Sequence, residues 1–419
     1  MMLTIIVMIF CGTFTQHSYL ELTEYWNKGF WELLKFTMQM ALVLVLGHAL
    51  ASTEAIGKLI QLIVNKCTSN ATAVVWISVT TLCMGFLNWG LGLVFGAILV
   101  RKVGENGQKQ NIPFNYPLLG AAGYSGLVIW HGGFSGSAPL TVATENHFLA
   151  ELTGIISITE TVLSPQNIGV TLLLLVIIPF VLYKLSSHTF SSELSTYPLS
   201  KEEVNEEKHL HFNDKLDSSR WLSLSVGAFI LCYLFYTMSQ HITSLKFFNL
   251  NFINMLFLGL GLILHKSLKS YSSAVDDAVK GIGGILLLFP FYAGIMGVMK
   301  YSGFASLISE SISAVATKET YPLFAFISSG LVNLFVPSGG GQWAVQGAIL
   351  VETSQQLGVS LKQTLMAFSY GDELTNMLQP FWALPLLGIT KLKAKEIVPY
   401  SLIIMLVSIP IFIIGIYLY

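Results

Sequence analysis

The chain has 419 residues, of which 53% are hydrophobic and only 11% charged, with a net charge of −1. Soluble domains carry about 25% charged residues, so most of this surface must face something other than water. The balanced charge leaves no polybasic patch and excludes nucleic acid as a partner, and Cys11, Cys67, Cys83 and Cys232 show neither a CxxC nor a metal-ligand spacing.

Apolar runs of about 20 residues read as bilayer-crossing helices, and they recur from the first residue to the last. Met1–Phe14 has no basic segment before it and no small-residue cleavage site, so it reads as a span and not a signal peptide. Phe30–Ala51 follows, with Glu32 and Lys35 at its entrance and His48 inside it, expected as a hydrogen-bonded core histidine. Ala71–Val100 is too long for one simple crossing and is interrupted by Asn88-Trp-Gly-Leu-Gly92. Unpaired backbone is not tolerated in lipid, so such a break must be buried in protein or line a cavity. A re-entrant hairpin is the expectation. Leu118–Leu140 is interrupted in turn by His131-Gly-Gly-Phe-Ser-Gly-Ser137, and Gly169–Tyr183 closes the first half.

The hydrophilic stretch 184–220, with Glu202, Glu203, Glu206, Glu207, Lys208, Asp214 and Lys215, cannot enter lipid and is expected as a polar cytoplasmic linker. Residues 221–250 then supply one extra crossing, Trp221–Met238, and a loop. Spans follow at Asn251–Leu264 and Gly281–Met299. A second interrupted piece, Tyr321–Val351, is broken by Val336-Pro-Ser-Gly-Gly-Gly341, and Leu361–Ile389 is broken at Asn376-Met-Leu-Gln-Pro380 before the last run, Ile397–Tyr419. Residues 1–183 and 251–419 therefore form two transmembrane repeats. Gly96-Ala-Ile-Leu-Val100 recurs unchanged as Gly347-Ala-Ile-Leu-Val351, and Tyr124 and Tyr370 each stand fifteen residues before a Pro-Leu pair. Duplicated halves are the usual construction of secondary transporters. Arg101, Lys102 and Lys109 follow the first pentapeptide, where the second is followed by Glu352 and Lys362. The loop with Glu145, Glu151 and Glu160 corresponds to one with Lys391, Lys393 and Lys395. Because positive loops stay in the cytoplasm, this opposite bias predicts inverted repeats. The fold class expected is all-α and polytopic, each repeat with a re-entrant hairpin and a broken helix.

The four breaks are where a small organic anion would be held. Arg and Lys are confined to loops, which leaves backbone N–H groups at half-helix N-termini, hydroxyls and amides as donors. The candidate substrate-binding residues are Asn88, Gly90 and Gly92 at the first tip and Ser338, Gly339, Gly340 and Gly341 at the second. Ser135 and Ser137 in the first broken helix and Asn376 and Gln379 in the second complete the set. Asp372 and Glu373 are adjacent acids inside a span. Asp372 is the candidate for a coupling ion, H⁺ or Na⁺, while Glu373 is expected in water near the outer surface. Trp89, Phe289, Phe291, Tyr292, Trp343, Phe381 and Trp382 stand near the breaks and could wall an acyl tail. No catalytic residue, resident metal or cofactor is expected.

At these residues the sequence resembles the bacterial short-chain fatty acid transporter family. The matching strings are Gly29-Phe-Trp31, Met38-Gln-Met-Ala-Leu42, Gly47-His-Ala-Leu-Ala-Ser52, Asn88-Trp-Gly-Leu-Gly92, Tyr116-Pro-Leu-Leu119, Gly132-Gly-Phe-Ser-Gly-Ser137, Phe289-Pro-Phe-Tyr-Ala-Gly294, Val336-Pro-Ser-Gly-Gly-Gly341 and Gln379-Pro-Phe-Trp-Ala-Leu-Pro385. The resemblance implies uptake of acids of the acetoacetate or butyrate class, coupled to protons or sodium, across the bacterial cytoplasmic membrane, and by analogy a homodimer. It departs in three ways. Met1–Phe14, roughly 21 Å as a helix, is short of a full span, and family members begin further upstream. His131 stands where the family has glycine, and Gln342 where it has histidine. The competing expectations are a carrier for lactate, gluconate or a C4-dicarboxylate, an ion antiporter of the same wider group, or an intramembrane serine protease built on Gly133-Phe-Ser135-Gly136 with His241 or His265 as base.

Overall fold

The computed structural model describes residues 2–32, 34–143, 147, 149–187, 217–241, 250–279 and 282–419. Most of the polar stretch (188–216), Glu145 and the side chain of His241 lie outside them. All the regular structure among the described residues is helical. The first half runs α1 (Met2–Phe14), α2 (Tyr19–Glu32), α3 (Leu34–Ala51), α4 (Glu54–Val64), α5 (Asn70–Leu87) and α6 (Trp89–Gln110). It continues with α7 (Tyr116–Tyr124), a 3₁₀ turn (Ser125–Val128), α8 (Ser137–Val142), the single turn α9 (Ala150–Thr153) and α10 (Pro165–Ser186). After α11 (Arg220–His241), α12 (Leu250–His265) and α13 (Leu268–Val279), the second half runs α14 (Gly283–Tyr301), α15 (Phe304–Ser313), α16 (Tyr321–Asn333) and α17 (Gly339–Leu357). Then come α18 (Leu361–Thr375), a 3₁₀ turn (Asn376–Leu378), α19 (Pro380–Thr390) and α20 (Ala394–Tyr417).

The order long helix, short amphipathic helix, hairpin, broken helix, long helix occurs twice, as α3–α10 and as α14–α20. Local chemistry sets the boundaries. Proline in the first turn opens α7, α10, α16 and α19, where its missing N–H costs nothing. Ser69 and Thr72 form a reciprocal capping box that opens α5. The region 30–51, expected as one span, belongs to two helices: α2 begins upstream at Tyr19, and its charged residues Glu21, Glu24 and Lys28 hide it from a search for apolar runs. His48, expected in the core, is only half-buried.

Five stretches are long and apolar enough to cross a membrane among the described residues: Tyr19–Ala51, Asn70–Leu87, Pro165–Ser186, Arg220–Gln240 and Ala394–Tyr417. Helices α10 and α11 expose whole apolar faces, Leu172, Leu173, Val176 and Phe180 on the one and Phe229, Tyr233, Phe235 and Tyr236 on the other. A face of that size in contact with water would be unfavourable, so lipid is its solvent. The halves interlock. In the interior α6 packs against α19, and α7 and α10 against α20. Polar bonds join the halves too: Tyr116 donates to Thr390 O (3.0 Å), Asn115 to Tyr400 Oη (3.0 Å) and Tyr370 to Asn167 Oδ1 (2.9 Å).

Within each half the hairpin lies backbone to backbone against the broken helix. A Cβ on Gly85 of α5 would fall 2.3 Å from Gly126 O, and one on Gly371 of α18 would fall 2.2 Å from Phe326 O of α16. Only glycine fits such contacts. They fix the depth at which each tip meets the neighbouring break.

Candidate functional site

Helices α6 and α17 both start at a glycine-rich tip and are capped alike. Asn88, with φ −158°, accepts the Leu91 N–H on its side-chain oxygen at 3.0 Å; Ser338, with φ −157°, accepts the Gly341 N–H at 3.2 Å. The side chains of Asn88 and Ser338 are therefore turned into their own helices, satisfying donors that a helix end leaves open. The caps use only the acceptor side of these groups, so the Asn88 Nδ2 and the Ser338 hydroxyl proton remain as donors beside the backbone of the tips. The Trp89 N–H donates to Ser135 Oγ at 3.0 Å, while the amides of Gly339 and Gly340 have no acceptor among the described residues.

Both tips end on the break of the first broken helix. A Cβ on Gly339 would lie 2.7 Å from the His131 ring and 2.8 Å from Trp130, and one on Gly340 would lie 3.5 Å from Ser137. The break itself is a tight turn: the Gly133 N–H donates to Trp130 O, and that of Phe134 reaches across to Phe86 O of α5 at 2.8 Å. Gly90 is buried behind its tip. Gly92 sits at the crossing of α5 and α6, where a Cβ would fall 2.7 Å from Gly85, and Gly341 lies against its own cap. Those two serve packing.

Against this loop lie the two acids. Asp372 Oδ2 is 2.6 Å from His131 Nδ1, and Glu373 Oε2 accepts the N–H groups of His131 (2.7 Å) and Gly132 (3.2 Å). Glu373 is fully buried, which corrects the expectation that water surrounds it. The first broken helix carries the donors that a buried carboxylate requires, and these could not be foreseen from α18 alone. One turn on, Asn333 Nδ2 shares its two hydrogens among Asp372 O (2.5 Å), Thr375 Oγ1 (2.9 Å) and Asn376 Oδ1 (2.8 Å). Gln379 Nε2 donates to Asn333 O, and the Tyr124 hydroxyl donates to Asn376 O at 2.7 Å. Asn376 and Gln379 thus meet the end of α16. The atoms Asn376 Nδ2, Gln379 Oε1, Asn333 Oδ1 and Asp372 Oδ1 are buried without a hydrogen-bond partner, as are the indole N–H groups of Trp130 and Trp343. Buried orphan atoms in such number are rare in folded proteins and mark places where a ligand, ion or water belongs.

An aromatic wall adjoins the same space. Trp89 packs edge-on against Trp382 (5.0 Å between ring centres) and Trp130 (6.2 Å), Phe289 stacks on Phe381 (4.1 Å), and Trp130 stacks on His131 (4.5 Å). The structure therefore brings Ser135, Ser137, Gly339 and Gly340 together and sets Asp372 beside them, with Asn376 and Gln379 a turn away. It adds His131, Glu373, Asn333, Trp130 and Trp343. His131 and Glu373 had no signal beyond their type, because their partners lie some 240 positions away in sequence. No lysine or arginine occurs in 67–100, 110–183, 319–361 or 363–390, the segments that build this region. Among the described residues no group of His, Cys, Asp and Glu is arranged to hold a metal ion. Ser135 is occupied by the Trp89 N–H, and His265 is bonded to Ala49 O and Ser270 instead, so that histidine is not the serine's base.

The sequence profile of a family described as short chain fatty acid transporter matches residues 1–419. A protein of Escherichia coli (strain K12) named "Putative short-chain fatty acid transporter" is 37% identical over 425 residues, covering 100% of this chain and 94% of that protein. One of the same name from Haemophilus influenzae (strain ATCC 51907 / DSM 11121 / KW20 / Rd) is 36% identical over 430 residues, covering 99% and 94%. Among solved structures, the crystal structure of the Alcanivorax borkumensis YdaH transporter aligns with 15% identity and a TM-score of 0.42, over 89% of this chain and 84% of that one.

Proposed function

This chain belongs to the short-chain fatty acid transporter family, and from that premise we propose that it carries acids of the acetoacetate and butyrate class into the bacterial cell across the cytoplasmic membrane. The observation that carries the reading is the convergence of two capped helix N-termini and an aromatic wall on the loop 130–137. A carboxylate placed there takes its hydrogen bonds from the Gly339 and Gly340 amides and the indole N–H of Trp130, aided by the positive end of the α17 dipole. The short acyl tail lies against Trp89, Trp382 and Phe381. With no buried cation to hold it, a monoanion is released as readily as it is bound, whereas a second carboxylate would find no partner. In this reading the two hairpins enter the membrane from opposite faces, Asp372 belongs to the coupling-ion site, and the unit bearing tips and breaks moves against the outer helices to alternate access.

The test is uptake of labelled C2–C6 monocarboxylates, lactate, gluconate and succinate by the purified chain in liposomes, each corrected for protein-free vesicles. Butyrate and acetoacetate should be taken up with at least about tenfold higher kcat/KM than succinate, a difference of about 1.4 kcal/mol. Equal or better transport of succinate would overturn the substrate class.

A further inference from the structure

We propose that the coupling ion is a proton, carried by the buried cluster of His131, Asp372 and Glu373; this rests on the transport reading above and deepens it. The three side chains are closed to solvent, at 0%, 0% and 1% exposure. Two neighbouring carboxylates here have no lysine or arginine in any of the segments around them. Leaving both ionised would place like charges side by side at low dielectric, which strongly disfavours it. A monovalent cation of some kind is needed, and the donor pattern selects which. Asp372 Oδ2 and Glu373 Oε2 already face N–H groups, which repel a metal ion. Within the cluster Asp372 Oδ1 is buried without a partner, and the other orphan oxygens of the region, on Asn333, Gln342 and Gln379, are neutral amides. A proton needs only that one charged oxygen, whereas a hard metal ion favours several charged oxygens, and the inner oxygens of both carboxylates are already taken by N–H groups.

The hydrogen bonds also assign the imidazole. Nε2 accepts the Ala138 N–H at 3.1 Å, so the ring proton sits on Nδ1 and is donated to Asp372. A second proton on the ring would break the bond to Ala138 at the start of α8, and the arriving proton therefore goes to the carboxylate pair. Loading forms an O–H bond at Asp372 Oδ1, and release to the cytoplasm breaks it, with no other bond changed. His131 is a positioning residue. Of the other titratable groups, Tyr370 interacts with Glu373, and its hydroxyl already donates to Asn167. From α17 the neighbour against the His131 ring is Gly339, which does not titrate.

Because the histidine belongs to the first half and the acids to the second, loading changes a bond between the halves. An ionised acceptor bonds roughly twice as strongly as a neutral one, so the proton weakens the link at the moment the site must open.

The experiment uses the full chain in liposomes. Exchange of labelled for unlabelled acetoacetate is measured with the same pH on both sides, corrected for protein-free vesicles and for the undissociated acid. Exchange should fall about tenfold per pH unit on its alkaline limb, as one required proton dictates, and should ignore Na⁺. Asp372→Asn should flatten that limb. His131→Gly removes the donor to Asp372 Oδ2 and should change the position of the limb without flattening it. A flat profile in the unaltered protein, or net uptake raised more than about twofold by an inward Na⁺ gradient at equal pH, would overturn the proton. Both arms are decided without the variants, should these fail to fold. Absence of exchange for every C2–C6 acid would overturn the transport reading, and this proposal with it.

Discussion

Single glycines decide much of the interior here, and the same substitution has opposite consequences at two of them. In a helix, Gly→Ala gains about 1 kcal/mol of propensity. Gly57 in α4 has nothing within 4 Å of the position a Cβ would take, so Gly57→Ala should leave the unfolding temperature in detergent unchanged or raise it. At Gly371 the new methyl would meet Phe326 O at 2.2 Å and Phe326 C at 3.0 Å. Backbone cannot swing away as a side chain can, and overpacking of this kind costs about 1–3 kcal/mol. Gly371→Ala should therefore unfold at lower temperature despite the better helix former. A higher temperature would mean that α16 and α18 do not approach as closely as described.

At the scale of the element, the tips are the parts whose sequence reading was most nearly complete. Gly, Pro and Asn seldom interrupt an apolar run without a structural reason, and the breaks at Asn88, His131–Ser137, Ser338 and Asn376 all appear as helix ends. What the residues could not reveal was direction. Asn88 and Ser338 look like donors aimed at an anion, yet their oxygens accept from their own helices. The distinction is testable. Asn88→Ala should lose about 1 kcal/mol of stability and weaken uptake, whereas Asn88→Ser, which caps as well, should restore both. If serine restored stability but left uptake at the alanine level, the amide itself would touch the substrate. The short helices α4, α13 and α15 were not foreseen, since 10 to 12 mixed residues give no long apolar run. Glu373 was misjudged for a related reason. A carboxylate is expensive in lipid until its donors are known, and these lie on a loop 241 residues earlier.

For the molecule as a whole, the duplication was legible in the recurrent pentapeptide and is repeated in the helix order, whereas the interlocking of the halves was not, because pairings such as Tyr124 with Asn376 leave no local trace. The charge bias around the two hairpins gives a topological prediction. In a cysteine-free background, Lys102→Cys and Lys393→Cys should both react with an impermeant maleimide only from the cytoplasmic side. Labelling from opposite sides would refute the inversion. The cross-half bonds also bear on how the protein is made. The N–H groups of His131 and Gly132 and the hydroxyls of Tyr116 and Tyr124 find their acceptors on residues 373–390. Synthesis proceeds at about 5–20 residues per second, so the first half waits on the order of tens of seconds for its partner to leave the ribosome. Throughout that wait its central loop cannot rest in lipid with bare amides; it must stay at the bilayer surface, in the insertion machinery or against a chaperone, and it takes its final depth only after translation is nearly done.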